Sequence, residues 1–249
     1  MAGLKDLFQG ISFPSLYIRG GTPAFMTDAM LENFLSAVRE NFRLKRGAQI
    51  HVDASPATLT ESKLRILLRH GVNRITLGIQ TFNEQALGHV ERKGQNRDKI
   101  RSLFSLFRKF PALFVDTDMM LGLKGQGNSV FINDFSQISK LSPHSIHFYP
   151  FDDGGKKVRS DQEARNSHLL NLADYMARKA GYMTGYQDWE NLKQNPWETR
   201  HEALWRDFRA SIMESEPLKR HIRARQGHVD CRIYCQGSLF ENLAKTQRV

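Results

Sequence analysis

A chain of 249 residues can bury one sizeable core, so one domain with an appendage is the expected organisation. It is 40% hydrophobic and 25% charged, its apolar runs are short and broken by charge, and neither a membrane span nor a secretory leader is read from it. The net charge of +10 is dispersed along helices and enriched after Glu216, without interleaved aromatics for base stacking, so nucleic acid is not an expected partner.

In chain order, residues 15–19 read as a strand stopped by Gly20-Gly21-Thr22-Pro23. Met30, Leu31, Phe34, Leu35, Val38 and Phe42 follow at helical spacing, with Thr27 as the N-cap and Asp28 in the first turn. Residues 49–53 form the next strand, and Leu64, Ile66, Leu67 and Leu68 lie on a helix that Gly71 closes. A third strand is expected at 73–79, helices near 83–90 and 97–110, and a fourth strand at 113–121. Phe131, Phe135, Ile138 and Leu141 mark another helix, and 145–149 a fifth strand. Further on, the pattern predicts helices at 161–180 and 197–213, a strand at 182–186, and a loosely ordered basic tail after Glu216. Repeated strand–helix units point to a parallel sheet with crossover helices.

Gly20, Asp53, Gln80, Asp118 and Pro150 are expected at or just beyond strand C-termini, spaced by roughly the 30 residues of a βα unit. In a (β/α) barrel such ends form one rim, where ligands bind. Turn residues and helix caps have the same composition, and spacing alone does not separate the two readings.

Three segments carry a resemblance. Residues 17–23, Tyr-Ile-Arg-Gly-Gly-Thr-Pro, residues 71–82, Gly-Val-Asn-Arg-Ile-Thr-Leu-Gly-Ile-Gln-Thr-Phe, and residues 118–123, Asp-Met-Met-Leu-Gly-Leu, occur in order at family-like separations. Together they resemble the radical S-adenosylmethionine proteins of the oxygen-independent coproporphyrinogen III oxidase and haem-chaperone group, over roughly residues 15–155. The resemblance implies an α/β fold: a partial (β/α) TIM-like radical SAM barrel lacking its first strand, spanning 1–155. A mostly helical appendage at 156–215 and the tail at 216–249 would follow.

The same resemblance implies an S-adenosylmethionine site. The backbone of Gly20, Gly21 and Thr22 would approach the methionyl amino end, where a Cβ would obstruct contact. Asp53 stands where the family usually has glutamate and would pair with the charged methionine end. Arg92 would hold the carboxylate with its planar fork, and Gln80 and Asp118 would bond the ribose hydroxyls. Arg19 in place of a glycine adds bulk at the mouth, and Lys124 in place of a proline loosens a turn.

The family's radical chemistry also needs a [4Fe–4S] cluster on a Cys-x3-Cys-x2-Cys loop before the glycine-rich strand. No cysteine precedes Gly20 here. Cys231 and Cys235 repeat the first spacing, with Ser238 in the third place. They are the only cysteines and are weak candidates for a permuted cluster site; read as incidental reduced thiols they suit a cytoplasmic protein. His201, in Arg200-His201-Glu202-Ala203-Leu204-Trp205, faintly resembles the haem-chaperone histidine motif and is a weak haem-iron candidate. Trp189, Trp197 and Trp205 read as packing anchors. The expected protein is a radical SAM relative acting on a tetrapyrrole or other small molecule, unable to do radical chemistry as the chain stands. An electron donor would be a partner only if a cluster were present. The alternatives are an S-adenosylmethionine- or haem-binding module without radical activity, and a truncated non-functional product.

Overall fold

The protein is described here by a computed structural model covering residues 8, 10–20, 22–89, 95–151, 160–184 and 188–190. The chain divides into two compact units. Among described residues the first comprises those up to Asp53 with Ser62–Asn73, and the second Ala54–Glu61 with those from Arg74 onward. The expected helix at 197–213 and the tail after Glu216 lie outside the described residues.

In the first unit, β1 (Ser12–Ile18) runs parallel to β2 (Arg43–Ala54), with Tyr17 opposite His51 and Ile18 opposite Val52. Parallel neighbours need a crossover, which α1 (Asp28–Asn41) supplies. Thr27 caps it as expected, its hydroxyl accepting the Met30 N–H at 3.3 Å. Leu31, Phe34, Leu35 and Val38 form the buried stripe that their spacing predicts. β2 starts at Arg43 rather than at Gln49, and the register slips opposite Phe13–Ser15, where Gly47 adopts φ +77°. After α2 (Glu61–Arg69) the chain reverses at Gly71, φ +83°, where a Cβ would lie 3.3 Å from Arg39 Nη1. Asn73 then ties this turn to β2: its amide donates to the Ala48 carbonyl and its Oδ1 accepts the Ile50 N–H, both at 2.9 Å.

The second unit holds three adjacent parallel strands, β3 (Arg74–Gln80), β4 (Phe114–Leu121) and β5 (Ser145–Pro150). Its helices are α3 (Glu84–His89), α4 (Arg97–Phe107), α5 (Asn128–Leu141) and α6 (Ser160–Lys179). One face of the three strands is apolar: Ile75, Leu77, Ile79, Met119, Leu121 and Ile146 are all fully buried. Phe148 of β5 meets Phe131 and Phe135 of α5 at ring-centroid distances of 5.8 and 6.1 Å, joining strand and crossover helix. Residues 185–186 of the expected strand at 182–186 lie outside the described residues, and Met183–Thr184 form β6. It is antiparallel to β7 (Asp188–Glu190), which is itself antiparallel to β5.

Tyr182, just before β6, is buried and donates its hydroxyl to the Pro143 carbonyl at 3.1 Å; burial pushes its phenol up to about 12. At the end of β4 the chain turns through Gly122 at φ +78°, where a Cβ would stand 2.0 Å from Oδ1 of Asn166 on α6. Gly122→Ala is therefore expected to lower stability by about 2 kcal/mol, read as a lower urea midpoint at unchanged slope. Adding Asn166→Ala removes the clash but not the unfavourable φ, so the double variant should recover only part of that loss.

Candidate functional site

In the first unit the strand ends build a short ladder of rings and charges. Tyr17 and His51, opposite one another in the parallel register, stack with centroids 4.1 Å apart and planes inclined by 5°. The Arg19 guanidinium carbon lies 5.1 Å from the Tyr17 centroid, a cation–π contact. The Tyr17 hydroxyl donates to Asp53 Oδ1 at 2.7 Å. Arg19, expected to add bulk, is thus laid along the stack. Asp53 is half-buried at the penultimate position of β2. Gly20 follows β1 at φ +86°, a conformation that favours glycine. Thr22 opens the 3₁₀ turn Pro23–Phe25, its carbonyl accepting the Phe25 N–H at 2.8 Å. Gly21, between them, lies outside the described residues, as do Arg92, His201, Cys231 and Cys235.

The second unit places Gln80 and Asp118 on its other, polar strand face. Gln80 ends β3, as expected, with a left-handed backbone at φ 68° and a register slip against β4. Asp118 is not at the end of β4 but inside it, opposite Gly78 on one side and His147 on the other. Both meet residues of β5 that sequence reading did not single out. The Tyr149 hydroxyl donates to Gln80 Oε1 at 3.4 Å, and His147 Nδ1 lies 3.1 Å from Asp118 Oδ1.

Deeper on the same face is a buried ion pair. Arg74 Nε and Nη2 reach the two carboxylate oxygens of Asp116 at 2.6 and 3.1 Å, and Asp116 is fully buried. The Thr76 hydroxyl donates to Asp116 Oδ2 at 3.4 Å, and the Ser145 hydroxyl donates to Oδ1. Ser145 Oγ lies 3.3 Å from His147 Nε2, so one hydrogen-bonded chain runs Arg74–Asp116–Ser145–His147–Asp118. Beside it, burial holds His144 below the ordinary histidine range, as a neutral ring whose Nδ1 accepts the Val115 N–H at 3.0 Å. The signal that would have exposed these residues is alternation. Arg74, Thr76; Asp116, Asp118; Ser145, His147, Tyr149; and, in the first unit, Gln49, His51, Asp53 place polar groups at every second position. Parallel strands are usually apolar on both faces, so a polar face marks a place kept for something other than core.

The loop after Gln80 is fixed by fully buried Asp134 of α5. Its carboxylate accepts the Thr81 hydroxyl at 2.5 Å and the Phe82 N–H at 3.0 Å. Gln95 adds donations to the Ile79 and Thr81 carbonyls at 2.6 and 3.3 Å, on either side of Gln80. These bonds brace the left-handed residue that carries the candidate ligand-facing amide.

With that geometry in view, the sequence model of the Radical SAM superfamily matches residues 4–136. The haem chaperone HemW of Buchnera aphidicola (from Acyrthosiphon pisum) is 26% identical over 183 residues, covering 71% of this chain and 48% of that protein. The oxygen-independent coproporphyrinogen III oxidase of Escherichia coli K12 is 26% identical over 145 residues, covering 58% of this chain and 32% of that protein. The solved structure of coproporphyrinogen III oxidase HemN from Escherichia coli, titled a radical SAM enzyme, matches with a TM-score of 0.70 at 21% identity. It covers 81% of this chain and 48% of that one. The match establishes the expected α/β fold, a partial TIM-like radical SAM barrel. The chain spans about half the length, or less, of these relatives.

The residues present do not fit the iron–sulfur cluster that the resemblance implies. Such a cluster takes three thiolates here and the chain has two cysteines, while no group of three His, Cys, Asp or Glu among the described residues is disposed to hold a metal.

Asp134 supplies a test of the loop. Burial raises its pKa above the ordinary carboxylate value, outweighing the Thr81 and Phe82 hydrogen bonds. A carboxyl with a raised folded pKa contributes stability that is fully present below its unfolded pKa and lost as pH rises through the raised value. Asp134→Asn keeps an acceptor for Phe82 N–H and removes the charge. Its urea midpoint should change less than that of the wild type between pH 4 and pH 7, and should equal or exceed the wild-type midpoint at pH 7.

Proposed function

Because this chain belongs to the radical S-adenosylmethionine superfamily, we propose that it binds S-adenosylmethionine and, as it stands, does not cleave it reductively. The observation that carries the binding proposal is the pairing of unused groups at the ends of the β5 contacts. Tyr149 and His147 occupy Gln80 Oε1 and Asp118 Oδ1. Gln80 Nε2 and Asp118 Oδ2 have no hydrogen-bond partner among the described residues. An amide donor beside a carboxylate acceptor suits the two hydroxyls of a ribose, each of which gives and takes one bond.

For the methionyl end we propose the family positions of the first unit: Gly20, Gly21 and Thr22 for the amino group, with Asp53 as its counter-charge. Arg92 is proposed for the carboxylate. When bound, S-adenosylmethionine supplies a sulfonium whose C–S bond is broken by one-electron reduction in superfamily members that carry a cluster. With two cysteines this chain lacks the donor set for that electron, and its own residues bind and orient the nucleoside. A tetrapyrrole is the second molecule we propose, by analogy with relatives named haem chaperone and coproporphyrinogen III oxidase. No described helix is long and apolar enough to cross a membrane.

Equilibrium dialysis against S-adenosylmethionine, followed by dithionite treatment and chromatography for 5′-deoxyadenosine, tests the proposal. Saturable binding without deoxyadenosine is expected. Gln80→Ala and Asp118→Ala should each weaken binding about tenfold, as expected for a lost bond to a charged or buried partner. Absence of binding, or wild-type affinity in both variants, would contradict it.

A further inference from the structure

We propose that His147 is a positioning residue for a ligand diol, held as an imidazolium that clamps Asp118 Oδ1 and leaves Oδ2 for the ligand. This rests on the nucleoside reading above and adds to it a residue and a charge state.

The charge state follows from counting protons along the polar face. Asp116 is fully buried against the Arg74 fork, so it is an ionised acceptor. The single hydroxyl proton of Ser145 goes to Asp116, leaving Ser145 Oγ to His147 as an acceptor only. The contact of 3.3 Å between Ser145 Oγ and His147 Nε2 therefore requires a proton on Nε2. On the other side of the ring, Nδ1 lies 3.1 Å from a carboxylate oxygen, and two acceptors do not approach that closely without a proton between them. A ring protonated at both nitrogens satisfies both contacts. The four charges then alternate along the face: Arg74 positive, Asp116 negative, His147 positive, Asp118 negative.

The surroundings agree with a paired cation. From β4, His147 faces Asp116 through Ser145, and Asp118 directly; from β3, Arg74 reaches it only through Asp116. On its own strand's approach, His144 is held neutral by burial. From β7, Asp188 stands opposite His147 in the antiparallel register. His147 and Asp118 are each 21% exposed, open enough for a ligand to reach the carboxylate and enclosed enough to limit solvent screening of the pair. Orientation is the consequence. A carboxylate with one oxygen fixed by a cation has its second oxygen aimed, and Tyr149, two residues along β5, does the same for the Gln80 amide.

Two measurements on the full chain decide this. With histidine labelled at Cε1, the resonance missing from His147→Gln identifies His147. It should titrate above the ordinary value of about 6.5, and Asp118→Asn should lower it by about one unit or more. Adenosine and 2′,3′-dideoxyadenosine are then compared as ligands. The wild type should prefer the diol about tenfold, His147→Phe should lose most of that preference, and His147→Gln, which still donates to Asp118, should restore part of it.

Identical titration of His147 in the wild type and Asp118→Asn overturns the proposal, as does full diol preference in His147→Phe. If the wild type binds neither nucleoside, the proposed nucleoside site and the diol role fall together. The titration then still upholds or refutes the imidazolium clamp on its own.

Discussion

The buried pair between Arg74 and Asp116 sets the chemistry of the second unit's polar face. A carboxylate with no exposure is tolerated because a guanidinium fork and two hydroxyls meet its oxygens. Its demand for donors orients Ser145, and Ser145 dictates the proton on the near side of His147. Removing Arg74 would leave the buried Asp116 carboxylate without its guanidinium and loosen the groups above it. The interaction is thus both a structural requirement and the origin of the site's hydrogen-bond polarity, from the floor of the strands to Asp118.

The first unit reaches a related result by a different route. Its polar strand face is organised by stacking rather than by a buried ion pair: Arg19, Tyr17 and His51 lie in sequence, and the Tyr17 hydroxyl turns one Asp53 oxygen into a fixed acceptor. The arrangement explains how an arginine replaces the glycine of the family pattern. The guanidinium lies over the Tyr17 ring, where such a contact is worth about 0.5–1 kcal/mol. Each unit thereby offers carboxylate oxygens already oriented by an aromatic or cationic neighbour.

Much of this was legible in the sequence because it is local. Thr27 before a helical stripe, Gly71 after one, and five short β-rich runs are set by capping, handedness and periodicity within a few residues. Gln80 was correctly placed at a strand end, since a Gly-Ile-Gln-Thr run next to a turn restricts where the strand can stop. Asp118 was expected at a strand end and lies inside β4, because the Met-Met-Leu run after it continues the pairing with β5. The β5 partners are not legible in the sequence for a physical reason. Ser145, His147 and Tyr149 matter through side chains 29 to 69 residues away, and such pairing depends on strand register that no local pattern reports. Their alternation was visible, but a single polar-at-every-second-position strand is also how a half-exposed antiparallel strand is written. The extra strand β7 is equally hidden, with three described residues, Asp188–Glu190, that carry no local strand pattern.

Placing a nucleoside at Gln80 and Asp118 is the step on which the functional account stands. A crystal structure of the chain with S-adenosylhomocysteine tests it most directly. The account predicts the ribose hydroxyls within hydrogen-bond distance of Gln80 Nε2 and Asp118 Oδ2, with His147 still on Oδ1. A nucleoside bound elsewhere, or one whose ribose leaves both groups untouched, would contradict it.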